Sequence, residues 1–308
     1  DKEIVNVNTS EVIQFETRYK LPNGRQIFRV STLDFRWATQ ERNFAELVFG
    51  FDSDATSALI SRLTIERALN YDPFDATKVI DRMIIRMSQH FGNFRMSQPD
   101  TFKLPPPMQR FPASMFHLRR SRFMRLFNHT PDETAFFRFA LRHETTGNMM
   151  TMIEPILLSY GLERPPERKP LDVASIQPDT VLLLDCYFRL IIQHGTSIAA
   201  WREQGLHLQE DYKHVKKVLE DPIAHAQQIL SDRFPAPFVL VCDQGSSQSR
   251  YLLAQLNPSS VIKSGDGKAA GVQHRNEGPE DETMLISDDV SYESFFAHLR
   301  QIVTTPRQ

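Results

Sequence analysis

The chain begins with two segments in which apolar and polar residues alternate, residues 12–19 and 26–33. A period of two is the pattern of a β-strand with one buried face. Between them stands the turn sequence LPNG at residues 21–24, in which Asn-Gly is a strong hairpin signal. We therefore predict a β-hairpin. Because a lone hairpin is only marginally stable in water, we expect the other strands of its sheet to lie outside this sequence.

After the hairpin, apolar residues recur at helical spacing, most clearly over residues 79–91. Thr130 and Glu133 are placed as a capping box, in which each side chain can bond to the backbone amide of the other. We predict an all-helical region at residues 37–164, with a last short helix over residues 149–160.

The pattern changes again after a proline-rich linker that starts at Pro165. Short apolar runs now alternate with amphipathic stretches, which predicts a small α+β domain over residues 165–308. Residues 259–283 are rich in Gly, Ser, Lys and Glu, which predicts a flexible insertion. The predicted strands are residues 180–184, 187–192, 238–242 and 284–286, and the predicted helices are residues 198–203, 212–219, 222–233 and 291–303.

Charge and cysteine content exclude some classes of function. The chain of 308 residues has 36 Lys and Arg against 38 Asp and Glu, a net charge of −2, so a nucleic-acid partner is disfavoured. Its two cysteines, Cys186 and Cys242, form no CxxC pair, which excludes a zinc site made from cysteine. Both are expected to be buried thiols in a reducing compartment. The longest apolar run, residues 181–192, contains Asp185 and Arg189, so no segment is predicted to span a membrane.

Motifs for nucleotide, metal or hydrolytic chemistry are absent from the sequence. There is no GxxxxGK(S/T) loop, no HExxH, no GxSxG and no EF-hand loop. The histidines are scattered, so we predict no metal site and no catalytic histidine. The first residue is Asp1 rather than Met, and we expect the chain to be part of a longer protein.

A basic cluster interleaved with apolar residues stands in the helical region; its members are Arg119, Arg120, Arg122 and Arg125. One interpretation is a helix with an apolar face and a solvated charged face. The other is contact with acidic lipid headgroups or with an acidic partner. The pattern leaves both open.

Arg250 follows a predicted strand and a loop of small residues, residues 243–249. We predict that it lies in the first turn of a helix, where the dipole disfavours a cation by about 0.3–1 kcal/mol. Leu252, Leu253 and Leu256 are expected to anchor that helix in the core. Three interpretations of Arg250 remain open: an ordinary surface arginine, an arginine that binds a phosphate of this domain's own ligand, or one that reaches into another protein's active site.

Nine stretches of the sequence resemble one family, in the same order along the chain. They are FHLRRSRF (residues 116–123), FNHTPDE (127–133), IEPI (153–156), LLLD (182–185), AWR (200–202), RFP (233–235), GSSQSRYLL (245–253), LNP (256–258) and SDDVS (287–291). From about residue 12 to residue 303, the chain resembles the Sec-twenty-three (Sec23) family, the inner subunit of the COPII vesicle coat.

The resemblance implies a multidomain α and α+β fold. Residues 1–36 would be the terminal strands of a β-sandwich, residues 37–164 an all-helical domain, and residues 165–308 a gelsolin-like α+β domain with a flexible insertion at about residues 259–283. The family's von Willebrand-like trunk and zinc finger have no counterpart here. A zinc finger is therefore expected only in an upstream part outside this sequence, and no cofactor is expected in this segment.

The resemblance also implies a role for Arg250. In the family, an arginine in a GSQAR(F/Y)LL-type segment inserts into the active site of the small GTPase Sar-one and speeds GTP hydrolysis. Arg250 matches that arginine, with Gln248, Ser249 and Tyr251 as expected partner-binding residues. GTP and magnesium would belong to the GTPase, so this chain would activate it in trans and would not be an enzyme by itself. Ser246 and Ser249 stand where the family has glycine and alanine.

Further partners and a location follow from the resemblance. The partners are a cargo-binding inner-coat protein of the Sec-twenty-four (Sec24) family, outer-coat proteins with proline-rich segments, and the anionic membrane of the endoplasmic reticulum. The candidates to face that membrane are Arg119, Arg120, Arg122 and Arg125. The protein is expected to be cytosolic and recruited to endoplasmic reticulum exit sites and COPII vesicle membranes. Two alternatives stay open: a coat scaffold or adaptor paralogue that does not activate the GTPase, and, from the gelsolin analogy alone, actin or calcium binding.

Overall fold

The structure is a computed structural model that describes residues 11–35, 44–70, 73–124, 130–257 and 290–306. Three predicted features lie outside these ranges: the insertion at residues 259–283, the strand at residues 284–286 and the candidate Arg125. The chain divides into two units, residues 1–51 and residues 52–308.

The described strands are β1 (Glu11–Lys20), β2 (Gln26–Phe35), β3 (Asn93–Arg95), β4 (Gln98–Lys103), β5 (Ile156–Gly161), β6 (Glu167–Lys169), β7 (Thr180–Asp185), β8 (Arg189–His194) and β9 (Phe238–Asp243). The described α-helices are α1 (Phe44–Phe49), α2 (Ser53–Asn70), α3 (Pro73–Phe91), α4 (Phe111–Arg120), α5 (Pro131–His143), α6 (Thr146–Ile153), α7 (Thr196–Glu203), α8 (Lys213–Asp232), α9 (Arg250–Leu253) and α10 (Tyr292–Thr304).

The first unit contains the predicted hairpin, which is confirmed. β1 and β2 pair antiparallel along their whole length, starting with Glu11 opposite Phe35. Gly24 closes the turn at φ +84°, a left-handed conformation that glycine adopts without strain. Apolar side chains such as Phe15 and Phe28 are exposed on this ribbon, as expected of a sheet that further strands would complete.

The second unit begins with helices that share an apolar core. α2, α3 and α4 bury residues such as Ile65, Ile84 and Phe116. The predicted capping box is confirmed at the start of α5. There the Glu133 amide donates to Thr130 Oγ1 at 3.2 Å, and the Thr130 amide donates to Glu133 Oε2 at 3.0 Å.

Two predictions about the helical region need correction. The region is not all-helical, because β3 and β4 form a short antiparallel hairpin after α3. α10 packs on this hairpin, with the rings of Phe102 and Phe296 centred 6.0 Å apart. α10 was also expected in the α+β domain, but it completes the helical core, where Phe295 is fully buried 5.0 Å from Phe116. Its apolar stripe finds a partner far away along the chain, which periodicity alone does not reveal.

The predicted helix over residues 149–160 is wrong beyond Ile153. α6 ends there and Pro155 follows, which lacks a donor amide and disfavours helical backbone at the preceding residue. β5 then pairs antiparallel with β7 along its whole length. The α+β part therefore begins before the predicted boundary at residue 165.

A sheet with five described strands forms the framework of this part, in the order β6-β5-β7-β8-β9. Neighbouring strands are antiparallel except β8 and β9, which are parallel and are joined through α7 and α8. α8 continues through Pro222, so the two predicted helices at residues 212–219 and 222–233 are one element. Val218 and Ala226, buried on either side of the proline, pack this helix on the sheet and stabilise it as a single amphipathic element.

Alternation within the strands divides the apolar side chains of the sheet between two faces. Leu183 and Ile192 pack beneath α7 and α8, whereas Leu184 and Ile191 face the opposite side. Leu252 of α9 belongs to this second face. The sheet thus determines which side of the domain presents the segment that follows β9.

Candidate functional site

The segment after β9 turns sharply and presents Arg250 at the surface. Gly245 has φ +82°, and no atom lies near a Cβ built on it, so the backbone conformation alone requires the glycine. A 3₁₀ turn at Ser247–Ser249 leads into α9, whose first residue is Arg250. Because α9 has only four residues, its dipole is small, and the predicted dipole penalty does not describe this site.

A polar network holds the start of this segment, residues 243 and 244, which we call its root. Asp243 accepts hydrogen bonds from both terminal nitrogens of Arg202, each at 2.9 Å, and lies 3.0 Å from Nδ1 of His194. The bonds from Arg202 hold the pKa of Asp243 below its ordinary value. The Gln244 side-chain oxygen accepts from the Thr196 amide at 3.2 Å. The root is therefore tied to β8 and to α7.

The underside of the segment packs into the core of the sheet. Leu252 and Leu256 are 0 % and 4 % exposed, whereas Leu253 is 43 % exposed. The prediction that Leu253 anchors the helix is wrong, because α9 turns that residue to solvent. Ser249 is also buried. Its side chain is therefore enclosed by the protein itself, and partner binding at Ser249 remains a prediction.

Two arginines lie against the ring of Tyr251. The Cζ atom of Arg250 is 5.1 Å from the ring centre, and that of Arg189 is 5.3 Å away. Nη2 of Arg250 also donates to Tyr251 Oη at 3.4 Å, and this bond lowers the pKa of the phenol. Gln248, two residues before Arg250 in the chain, is exposed. Within the part of the chain that the structure describes, no carboxylate pairs with Arg250. The structure thus brings two predicted site residues, Arg250 and Tyr251, together at the surface.

The structure separates the members of the basic cluster. Arg119 is buried and forms an ion pair with Asp81, so the prediction that it faces a membrane is wrong; a charge at this depth needs a partner inside the protein. Arg120 and Arg122 are half-buried and line a cleft together with Arg189. Membrane contact by these two remains a prediction.

A second buried ion pair supports the turn between β7 and β8. Arg233 donates to both carboxylate oxygens of Asp185, at 2.5 and 2.8 Å, and its Cζ lies 4.9 Å from the centre of the Tyr187 ring. The Tyr187 amide donates to the same carboxylate at 2.8 Å. This turn leads directly to Arg189, next to Tyr251. Sequence reasoning missed Arg189 as a site residue, and its only signal was a charge inside an apolar run.

Comparison with known proteins gives matches across the second unit. Residues 52–151 match the Sec23/Sec24 helical domain, and residues 163–252 match the gelsolin repeat. Protein transport protein SEC23 F of Arabidopsis thaliana is 38% identical over 296 residues, which cover 96% of this chain and 37% of the relative. Protein transport protein SEC23 C of the same plant is 38% identical over 311 residues, which cover 98% of this chain and 39% of the relative.

A solved structure shares the fold. The human COPII-coat protein Sec24c matches with a TM-score of 0.70 over 95% of this chain and 36% of that chain. The identity is 15%, so this likeness concerns the fold alone.

A helical domain followed by a gelsolin-like domain places the chain in the Sec23/Sec24 class of multidomain α and α+β proteins. Within that class, the chain belongs to the Sec23 family and corresponds to its C-terminal part. It spans little more than a third of the length of the curated relatives it matches, 37% and 39%. The family resemblance and the fold class predicted from the sequence are both confirmed.

None of the helices that the structure describes is both long and apolar enough to cross a bilayer. In the same residues, no group of three or more His, Cys, Asp or Glu side chains is arranged to hold a metal ion.

Proposed function

We propose that this chain is part of a COPII coat subunit in protein transport, and that Arg250 activates a small GTPase of the Sar-one type in trans. One observation carries the proposal: Arg250 lies at the surface on a segment whose root and underside are both anchored. Family membership supports it, since both relatives are named protein transport proteins and the structural neighbour is named a COPII-coat protein.

The chemistry of an arginine suits this role. In phosphoryl transfer, negative charge spreads over the phosphate oxygens in the transition state. A guanidinium carries a permanent positive charge and a planar fork of donors that stabilises such oxygens. An arginine supplied in trans typically accelerates hydrolysis by about 10³–10⁵, which corresponds to about 4–7 kcal/mol of barrier.

The contribution of this chain is to present the arginine from a fixed backbone. Leu252 beneath the turn and the Arg202–Asp243 bonds at its root restrict the segment, so little conformational entropy is lost when a partner binds. Arg250 has to leave the Tyr251 ring to reach a partner, and an exposed cation–π contact is worth about 0.5–1 kcal/mol. This is small beside the barrier reduction, so Tyr251 can orient the arginine without preventing its use.

In this proposal GTP, magnesium and the hydrolytic site belong to the partner GTPase, and the chain is not an enzyme on its own. The further proposed partners are an inner-coat protein of the Sec24 family, outer-coat proteins with proline-rich segments, and the anionic membrane surface. The proposed location is the cytosol, with recruitment to endoplasmic reticulum exit sites and COPII vesicle membranes.

Single-turnover GTP hydrolysis by the cognate GTPase tests the role of Arg250 in the full-length protein. We expect Arg250→Ala to lower the stimulated rate by about 10³-fold or more. Arg250→Lys should recover only part of it, because an ammonium lacks the bidentate fork. Arg86→Ala is the matched control, since Arg86 is an exposed arginine of α3, and it should leave the rate unchanged. Equal rates for the Arg250→Ala and unmodified proteins would refute the role.

A coat scaffold or adaptor that does not activate the GTPase is the second candidate. The contact of Arg250 with Tyr251 favours it, because a cation held on its own domain's ring has a local role that needs no nucleotide. Coat assembly on liposomes, measured by co-sedimentation together with hydrolysis, separates the two candidates. If Arg250→Ala leaves both assembly and hydrolysis unchanged, the scaffold is supported. If it leaves assembly unchanged and slows hydrolysis, the activator is supported.

A further inference from the structure

A cleft between the helical part and the sheet has several arginines among its described lining residues. Its volume is about 470 Å³, within the range of small-ligand sites. It is bounded by the end of α4, the start of α5, the start of β8 and α9. The charged and polar side chains that matter most are Arg120, Arg122, Glu133, Arg189, Tyr251 and Asn257.

Among the residues that the structure describes, the lining contains three arginines and one glutamate. The carboxylate of Glu133 is already engaged in the capping box of α5, where Oε2 accepts from the Thr130 amide at 3.0 Å. Burial lowers the pKa of His117, which also lines the cleft, to about 4, so that this side chain is neutral at pH 7. The arginines therefore make the net charge of the described lining positive.

Aromatic rings hold two of these arginines in place. The Cζ atom of Arg122 is 4.8 Å from the centre of the Phe137 ring, and that of Arg189 is 5.3 Å from the centre of the Tyr251 ring. A guanidinium lying on a ring face keeps the N–H donors at its edge available. Among the described residues, no carboxylate forms an ion pair with Arg122 or with Arg189.

The two cations also act on each other. Burial is the largest cause that lowers the pKa of Arg122, and the charge of Arg189 acts in the same direction, whereas the charge of Glu133 acts against it. Two guanidinium groups near each other in a partly dry cleft repel. An anion bound between them would offset this repulsion and would accept hydrogen bonds from both guanidinium groups.

We propose that this cleft binds an anion that carries phosphate groups, of about the size of an inositol polyphosphate. Phosphate fits better than a single carboxylate, because its several oxygens can accept from more than one guanidinium fork. Arg122 and Arg189, each held on an aromatic ring, supply the charged donors of the site, and the buried Asn257 adds a neutral polar group to its lining. The proposal does not depend on GTPase activation by Arg250, which is not among the residues of the lining.

Isothermal titration calorimetry with inositol hexakisphosphate at physiological salt tests the site in the full-length protein. We expect saturable binding, and Arg122→Gln and Arg189→Gln should each weaken it by about tenfold or more, as expected for the loss of a charge-assisted hydrogen bond. Arg86→Gln on α3 is the matched control and should leave the affinity unchanged. Circular dichroism checks folding. Since Arg122 follows the end of α4 and Arg189 begins β8, each variant decides the question independently.

The source of the phosphate is settled by a second measurement. Flotation with vesicles that contain phosphatidylinositol 4,5-bisphosphate, with and without soluble competitor, separates a lipid headgroup from a free phosphate compound, and either source supports the site. Absence of binding, an equal loss in Arg86→Gln, or equal affinity for a polyglutamate peptide would each overturn the proposal. The last two results would indicate non-specific attraction of polyanions or a site for acidic peptides.

Discussion

Two adjacent leucines in α9 allow a direct test of how the segment after β9 is packed. Leu252 is fully buried on the sheet, whereas Leu253 is 43 % exposed. Leu252→Ala removes buried methyl groups and leaves a cavity, which costs about 2–5 kcal/mol. Leu253→Ala removes atoms that solvent already reaches in part, so its expected cost is under about 0.5 kcal/mol.

Urea unfolding of the two variants, followed by circular dichroism, measures this difference. With a slope of about 3 kcal/mol per molar urea, a loss of about 3 kcal/mol moves the midpoint by about 1 M, and Leu253→Ala should leave it in place. Because the Arg250 turn rests on Leu252, the same variant should also slow stimulated GTP hydrolysis below the denaturation range. Equal midpoints for Leu252→Ala and Leu253→Ala would refute the packing of α9 on the sheet.

Three further predictions concern the groups around this segment. Asp185→Ala leaves Arg233 largely buried without its partner and should destabilise the protein by about 3–5 kcal/mol in thermal unfolding; a loss under about 1 kcal/mol, as for an exposed pair, would contradict this. Because Arg202 lowers the pKa of Asp243, that carboxylate stabilises the fold above its unfolded-state pKa, and this contribution is lost as the pH falls through the lower folded-state value. Asp243→Asn should therefore flatten the acid side of a stability curve measured by urea unfolding, and an unchanged acid side would argue against the linkage. Tyr251→Phe keeps the ring under Arg250 and loses one 3.4 Å hydrogen bond, so stimulated hydrolysis should change by less than about tenfold, whereas Tyr251→Ala should lower it further; indistinguishable rates would show that the ring does not orient the arginine.

Local patterns were sufficient wherever an element depends on residues close in sequence. The first hairpin and the capping box of Thr130 and Glu133 are confirmed because turn residues and caps act within a few positions. Predictions failed where the extent or the location of an element depends on packing against residues far away in the sequence. α8 continues through Pro222 because its apolar stripe packs on the sheet, and α10 joins the helical core because Phe295 meets Phe116.

The sequence by itself determined that Arg250 follows a strand on a short turn of small residues, and that the chain resembles the Sec23 family. Only the tertiary structure decided which charges and side chains meet. It buries Arg119 in an ion pair with Asp81. It also places Leu252 in the core and exposes Leu253 to solvent. The physical reason is that the energy of an ion pair or a buried side chain depends on burial and on distances between residues far apart in the chain. Neither quantity is encoded in local periodicity.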